Sequence, residues 1–398
     1  MNRSRNLLLG LLWVLVIVVL GVAGYLGYQV FQDLSVATSN IEKYEGQEPI
    51  EPYTFLGKEA IQLAWFYRPP ASGNMSSISQ NFDTFVLTKQ DDEERDELKE
   101  LGVEAPIMQY LHFENIHDPG DCSKSPWRNQ VAYNPGDFCN ISENHSDWFL
   151  NNIDGSLMVS QSSSGNQNYV RMDPGNSGWR NFWLERAIEG QEKLGWDGVF
   201  MDNVEASISK FERKGFSPAN YPTEDEYLSQ IEQALAFYYL NYFQPKGRPL
   251  FANIISLRDP DVWFRYIQYL DGAMIEGWVV DWSDGFLSVD TWTEHMYIAE
   301  KTQTYGKQVI LVSQGDQNNI ERQQFAFASY LLINHGLASF RYADASAYNE
   351  TWYYNNYYID IGVPLGVRYQ EGNEWRRDFS NGIVIVNPKN HTAEIITN

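Results

Sequence analysis

Eight short apolar or aromatic runs, separated by longer polar or amphipathic stretches, constrain this chain more than any other feature. The runs are 62–68, 82–88, 105–112, 197–204, 249–255, 271–278, 307–314 and 337–342. Each is close to continuously apolar, as strands buried on both faces must be. Helical segments at 91–101, 178–194, 223–243, 259–270, 289–305 and 317–335 fall between them. Thr223 and Glu226 have the spacing of a capping box, and Asp259-Pro260 is an N-cap followed by proline at the first helical position. Gly102, Gly195, Gly306 and Gly336 stand just past four of these segments, where a left-handed residue ends a helix. Residues 73–81 carry little helical signal and read as no more than a loop.

Strand–helix alternation of this length predicts an α/β chain folded as a (β/α)₈ TIM barrel over 61–350. The competing open, doubly wound sheet would carry a glycine-rich phosphate loop after its first strand, and none is present. Between the third and fourth runs lies a long insertion, 113–177, which holds Cys122 and Cys139. Its length allows a functional role or plain ornament. Past the barrel, 351–398 predicts a small β appendage, with strands at 374–379, 383–387 and 392–397 and an Asn381-Gly382 hairpin turn.

Residues 7–28 form an uncharged run of 22 residues, preceded by Arg3 and Arg5, with Asp33 the first charge after it. A helix of that length spans a bilayer. The positive-inside rule leaves the first residues in the cytoplasm and exports the rest. The expected organisation is therefore a cytoplasmic tip and transmembrane helix at 1–32, a stalk at 33–60 and an extracellular barrel on a single-pass cell-membrane protein. A signal peptide cleaved near Ser35-Val36-Ala37 is the competing reading. On the oxidising side, Cys122 and Cys139 read as a disulfide or as two independent thiols.

With 52 acidic and 29 basic residues, the net charge is −23. That argues against nucleic-acid binding and makes neutral or cationic polysaccharides likelier substrates than anionic ones. Aromatic residues at 15% of the chain suit ligands that stack on rings, such as sugars. No nucleophile elbow or Walker loop is present, and no cofactor or metal is expected.

Charged and aromatic residues at strand C-terminal ends are the candidates in a barrel. Asp202 ends the fourth run and Glu276 the sixth. Two carboxylates across a barrel mouth are what glycoside hydrolysis requires: one protonates the leaving oxygen, the other attacks the anomeric carbon or activates water. Candidate sugar contacts are Trp65, Tyr67, Tyr110, Asn203, Glu205, Asn253, Trp278, Asp316 and Arg341. Asp197 and Asp271, at strand starts, read as turn residues. The alternative is a non-catalytic carbohydrate-binding or cell-envelope scaffolding barrel.

The motifs GWDGVFMDNVE (195–205), YVRMDPGNSGWRNFW (169–183), DGAMIEGW (271–278) and RRDFSNGIVIVNP (376–388) resemble hypothetical glycosyl hydrolase family 15. They are more distantly similar to glycoside hydrolase family 114, the endo-α-1,4-polygalactosaminidases. The resemblance covers about residues 60–390. It implies a TIM barrel acting on α-glycosidic bonds. It also implies Asp202 as nucleophile and a fifth- or sixth-strand carboxylate as acid/base. Asn253 occupies the fifth-strand end, so the role falls on Glu276. The insertion and the anchor are not part of the resemblance.

Overall fold

The computed structural model describes residues 60–161 and 168–398. The expected anchor at 7–28 and nearly all of the expected stalk lie outside that range. Among the described residues no helix is long and apolar enough to cross a membrane.

Every one of the apolar runs contributes a strand to a single parallel sheet: β1 Ala64–Phe66, β2 Thr84–Thr88, β3 Ile107–His112, β4 Gly198–Glu205, β5 Leu250–Ile255, β6 Gly272–Glu276, β7 Gln308–Gln314 and β8 Ala338–Ala343. Each strand pairs with the next in chain order. Leu63 bridges Phe340, and the Phe340 amide donates to the Gln62 carbonyl at 2.9 Å, which brings the last strand back to the first. The helices are α1 Met75–Asn81, α2 Asp92–Glu100, α3 Ser177–Glu192, α4 Glu224–Tyr238, α5 Pro260–Ile267, α6 Val289–Thr304 and α7 Ile320–Ile333. Where a loop was expected, α1 forms: Asn74 caps it by accepting from the Ser77 amide. It buries only Met75 and Ile78, too little apolar surface to leave a periodic signal.

Strand alternation sorts the side chains into two cores. Phe66, Met108, Tyr110, Phe200, Phe251 and Met274 belong to a small inner cluster. The alternate strand positions join the helices in a much larger outer one. The strand starts carry a repeated device. Asp83, Asp197 and Asp271 accept from the backbone amides of Leu63, Ile107 and Leu250, at 2.8, 3.0 and 2.9 Å. Asp197 and Asp271 are thus more than turn residues, since each satisfies an otherwise orphaned amide on the preceding strand. The glycine after Asp271 has its own reason: a Cβ on Gly272 would lie 2.2 Å from the Phe251 ring.

The insertion holds an antiparallel sheet of Asn115–Asp118, Asn168–Arg171 and Val159–Gln161, together with a helix at Asp137–Asn144. Cys122 and Cys139 are disulfide-bonded, with Cα atoms 5.8 Å apart.

The C-terminal appendage is an antiparallel sheet of Tyr369–Glu371, Glu374–Phe379, Gly382–Asn387 and Thr392–Thr397. It packs on α7, which is buried at every position from Phe325 to Ile333 because barrel and sheet cover opposite faces. Arg377 locks the two together: its guanidinium donates to the carbonyls of Leu331 and Asn334 at the C-terminal end of α7, at 2.9 and 2.7 Å.

Candidate active site

The C-terminal end of β4 is irregular. Its pairing with β5 runs in register to Met201 and resumes, shifted, at Val204. Asn203 in between has φ = 61°, a left-handed conformation that Asn tolerates better than most residues. A bulge of this kind re-aims side chains. Here it brings Asp202 and Asn203 together at the barrel mouth.

Three neighbours hold Asp202. The Tyr110 hydroxyl, from β3, donates to its Oδ2. Asn203 Nδ2 donates to the same oxygen at 2.8 Å. Asn253 Nδ2, from β5, donates to Oδ1 at 3.0 Å. That same nitrogen donates to Oε2 of Glu276, on β6, at 2.8 Å. One amide therefore bridges the two carboxylates, and their nearest oxygens cannot be further apart than those two bonds laid end to end. The Tyr348 hydroxyl, from the segment after β8, donates to Glu276 Oε1 at 2.8 Å and accepts from Gln314 Nε2 at 2.8 Å.

Burial, with the charge of Asp202 second, pushes the Glu276 carboxyl up to about 7, while the bonds from Tyr348 and Asn253 pull the other way. Burial also raises the Tyr110 and Tyr348 hydroxyls well above their ordinary values, so both stay protonated donors. His112 is held below its usual range by burial and remains a neutral ring.

The carboxylates open onto a cleft of about 550 Å³, whose wall includes Trp282, 59% exposed. The arrangement supplies a carboxyl that holds a proton near neutral pH, a second carboxylate beside it, and an exposed indole for a sugar face. Among the described residues no group of three or more His, Cys, Asp or Glu side chains is placed to hold a metal ion.

Residues 106–383 match the model of hypothetical glycosyl hydrolase family 15. The chain belongs to this family. A member of hypothetical glycosyl hydrolase family 15 is by family a glycoside hydrolase. No curated protein matches the sequence. Similar solved structures include the glycoside hydrolase domain of PelA from Pseudomonas aeruginosa, at 16% identity and a TM-score of 0.47, covering 80% of this chain and 98% of that one. Another is the noncanonic maltogenic α-amylase AmyB from Thermotoga neapolitana, at 10% identity and a TM-score of 0.47, covering 84% and 87%.

The remaining sequence candidates divide. Tyr67 stacks on Tyr110, ring centroids 4.8 Å apart, beside the carboxylates. Trp65 does not line the cleft: it is fully buried, its indole donates to the Arg68 carbonyl, and its ring lies under the Arg341 guanidinium. Arg341 is likewise internal, donating to the carbonyls of Tyr348 and Glu350, so it positions the segment that delivers Tyr348. Trp278 is buried completely and donates to the Ala326 carbonyl; it cannot stack on a sugar, and Trp282 holds the exposed place instead. Glu205 is buried in ion pairs with Arg171 and Lys210 rather than turned to ligand. Asp316 is an exposed turn residue that accepts from the Asn318 amide. Sequence reasoning missed Tyr348 and Trp282. Both lie in loops after strands, where no spacing rule marks them; the one available signal for Trp282 was an aromatic residue in a βα loop.

Proposed function

We propose that the protein is a membrane-anchored extracellular glycoside hydrolase that cleaves α-linked glycans with retention, Asp202 acting as nucleophile and Glu276 as acid/base. The observation that carries this reading is the shared Asn253 amide. It ties the nearest oxygens of the two carboxylates to one nitrogen, at 3.0 and 2.8 Å, which favours the short separation of a retaining enzyme over the roughly 6.5–9.5 Å of an inverting one. In the first step Glu276 gives its proton to the glycosidic oxygen as Asp202 attacks C1. The C1–O bond breaks, the alcohol leaves, and a glycosyl ester forms on Asp202. In the second step the Glu276 carboxylate takes a proton from water, whose oxygen attacks C1 and frees Asp202. Tyr110 and Asn253 steady the nucleophile in both steps. The α linkage rests on the family resemblance, and the membrane location on the apolar run at 7–28.

The test is a panel of α-linked oligosaccharides with wild-type protein and two variants. Asp202→Asn should lower turnover by at least about 10²-fold while leaving the fold intact. Asp202→Ala supplied with azide should regain turnover and release a β-glycosyl azide, because the small anion enters where the carboxylate was. Undiminished turnover in Asp202→Asn overturns the assignment, and an α-azide overturns the stereochemistry.

A further inference from the structure

The acidic balance of the chain hides a local reversal beside the catalytic cleft. A second cleft of about 430 Å³ is lined by Arg171, Lys210, Arg213 and Lys214, with Tyr169 and Asn203. It is continuous with the catalytic one, since Asn203, Lys210 and Arg213 line both. Two of the cations come from the turn after Asp202 that follows the short helix Ser209–Glu212. Arg171 comes from the sheet of the insertion.

Their counter-charges are uneven. Arg171 pairs with the buried carboxylates of Glu114 and Glu205. Lys210 shares Glu205, at 3.6 Å. Among the described residues no carboxylate lies within ion-pair distance of Arg213 or Lys214, although both are exposed and the chain has 52 acidic residues to 29 basic ones. Other exposed cations, such as Lys246 and Lys389, also have no ion-pair partner among the described residues; Arg213 and Lys214 differ in standing side by side in one cleft with two further cations. Burial first, then the charges of Arg171 and Lys210, hold the Lys214 ammonium below its usual range, while Glu205 pulls the other way.

We infer that this cleft is a subsite for an anionic sugar substituent, a carboxylate or a phosphate, on a unit adjoining the scissile bond. Arg213 and Lys214 meet the charge, and Lys210 stands between the subsite and the carboxylates. The field at the site, and not the net charge, then sets substrate preference, because charges beyond about 8–10 Å are screened at physiological salt. That the bound sugar is a substrate rests on the proposed catalytic function, while the charge preference is read from binding alone.

The experiment uses the whole protein carrying Glu276→Gln, so that no turnover intrudes, and titrates it calorimetrically with galactose, galacturonate and galactose 6-phosphate. Either anionic sugar should bind at least about tenfold tighter than galactose, and that advantage should shrink with added salt. Which of the two leads tells a uronate from a phosphate ligand. Arg213→Gln with Lys214→Gln, both exposed and outside the buried pairs, should abolish the advantage. Equal or undetectable binding of both anionic sugars, or an advantage that survives the double substitution, overturns the inference. Retained turnover in Asp202→Asn would instead count against the catalytic assignment and leave this result standing.

Discussion

Glu276 is the residue on which pH dependence turns. As the acid of the proposed mechanism it must carry a proton, and its carboxyl is raised to about 7 by burial and by Asp202. Turnover of wild type should therefore fall as pH rises through about 7, in the direction opposite to loss of a base. The Tyr348 hydroxyl bond favours the ionised form, because it donates to the carboxylate. Removing it with Tyr348→Phe should move the falling limb to higher pH by about one to two units, given that a bond to an ionised group contributes about 1.5–3 kcal/mol. A pH–rate profile of kcat/KM checks this, and a limb that moves down or stays put would remove Tyr348 from the mechanism. The placement of Asp202 and Glu276 at strand ends facing one another was legible in the sequence, because the apolar runs that form the strands end at them. Their partner Tyr348 was not legible, because it arrives from a loop in register with nothing around it.

Elements were legible wherever burial imposes a pattern. The strands are apolar on both faces, and the capping signals at Thr223 and Asp259 fall where α4 and α5 begin. What failed was the direction of single side chains beyond a strand end. After β6, Gly277 and Val279 have φ of 85° and 50°, so the chain turns twice within three residues and carries the Trp278 ring beneath α7. Alternation cannot be extrapolated through such a turn, and the exposed aromatic falls at Trp282. The bulge in β4 is a similar break, and here the residue type fits it. Asn203→Val should cost about 1–2 kcal/mol, since a β-branched side chain resists the left-handed region. It should also reduce turnover by letting Asp202 swing. Asn203→Gly should keep the backbone conformation at no such cost and lose the side-chain bonds to Asp202 and His112. Urea denaturation of both variants decides it: equal stability of Val and Gly at 203 would mean that the bulge does not hold Asp202 in place.

At the scale of the whole molecule, compartment and fold meet in the insertion. Cys122 and Cys139 are disulfide-bonded across a sequence separation of 17 residues, and such bonds persist on the oxidising side of a membrane. The proposed orientation puts the barrel on that side, because Arg3 and Arg5 precede the apolar run and the positive-inside rule retains them in the cytoplasm. Under the proposed orientation the disulfide serves as a test of topology. In cells making the full chain, a maleimide added after denaturation without reductant should leave the protein unlabelled, and reductant added first should expose both thiols. The full chain should also stay with the membrane through alkaline extraction, and removal of residues 1–32 should release it, because an uncharged run of 22 residues is long enough to span a bilayer, and a spanning segment holds a protein far more firmly than surface charge does. Ready labelling without reductant would place the barrel in the cytoplasm and overturn the orientation. Release of the full chain by alkali would overturn the anchor while leaving the active-site chemistry untouched, since every residue assigned to it lies between Tyr67 and Tyr348.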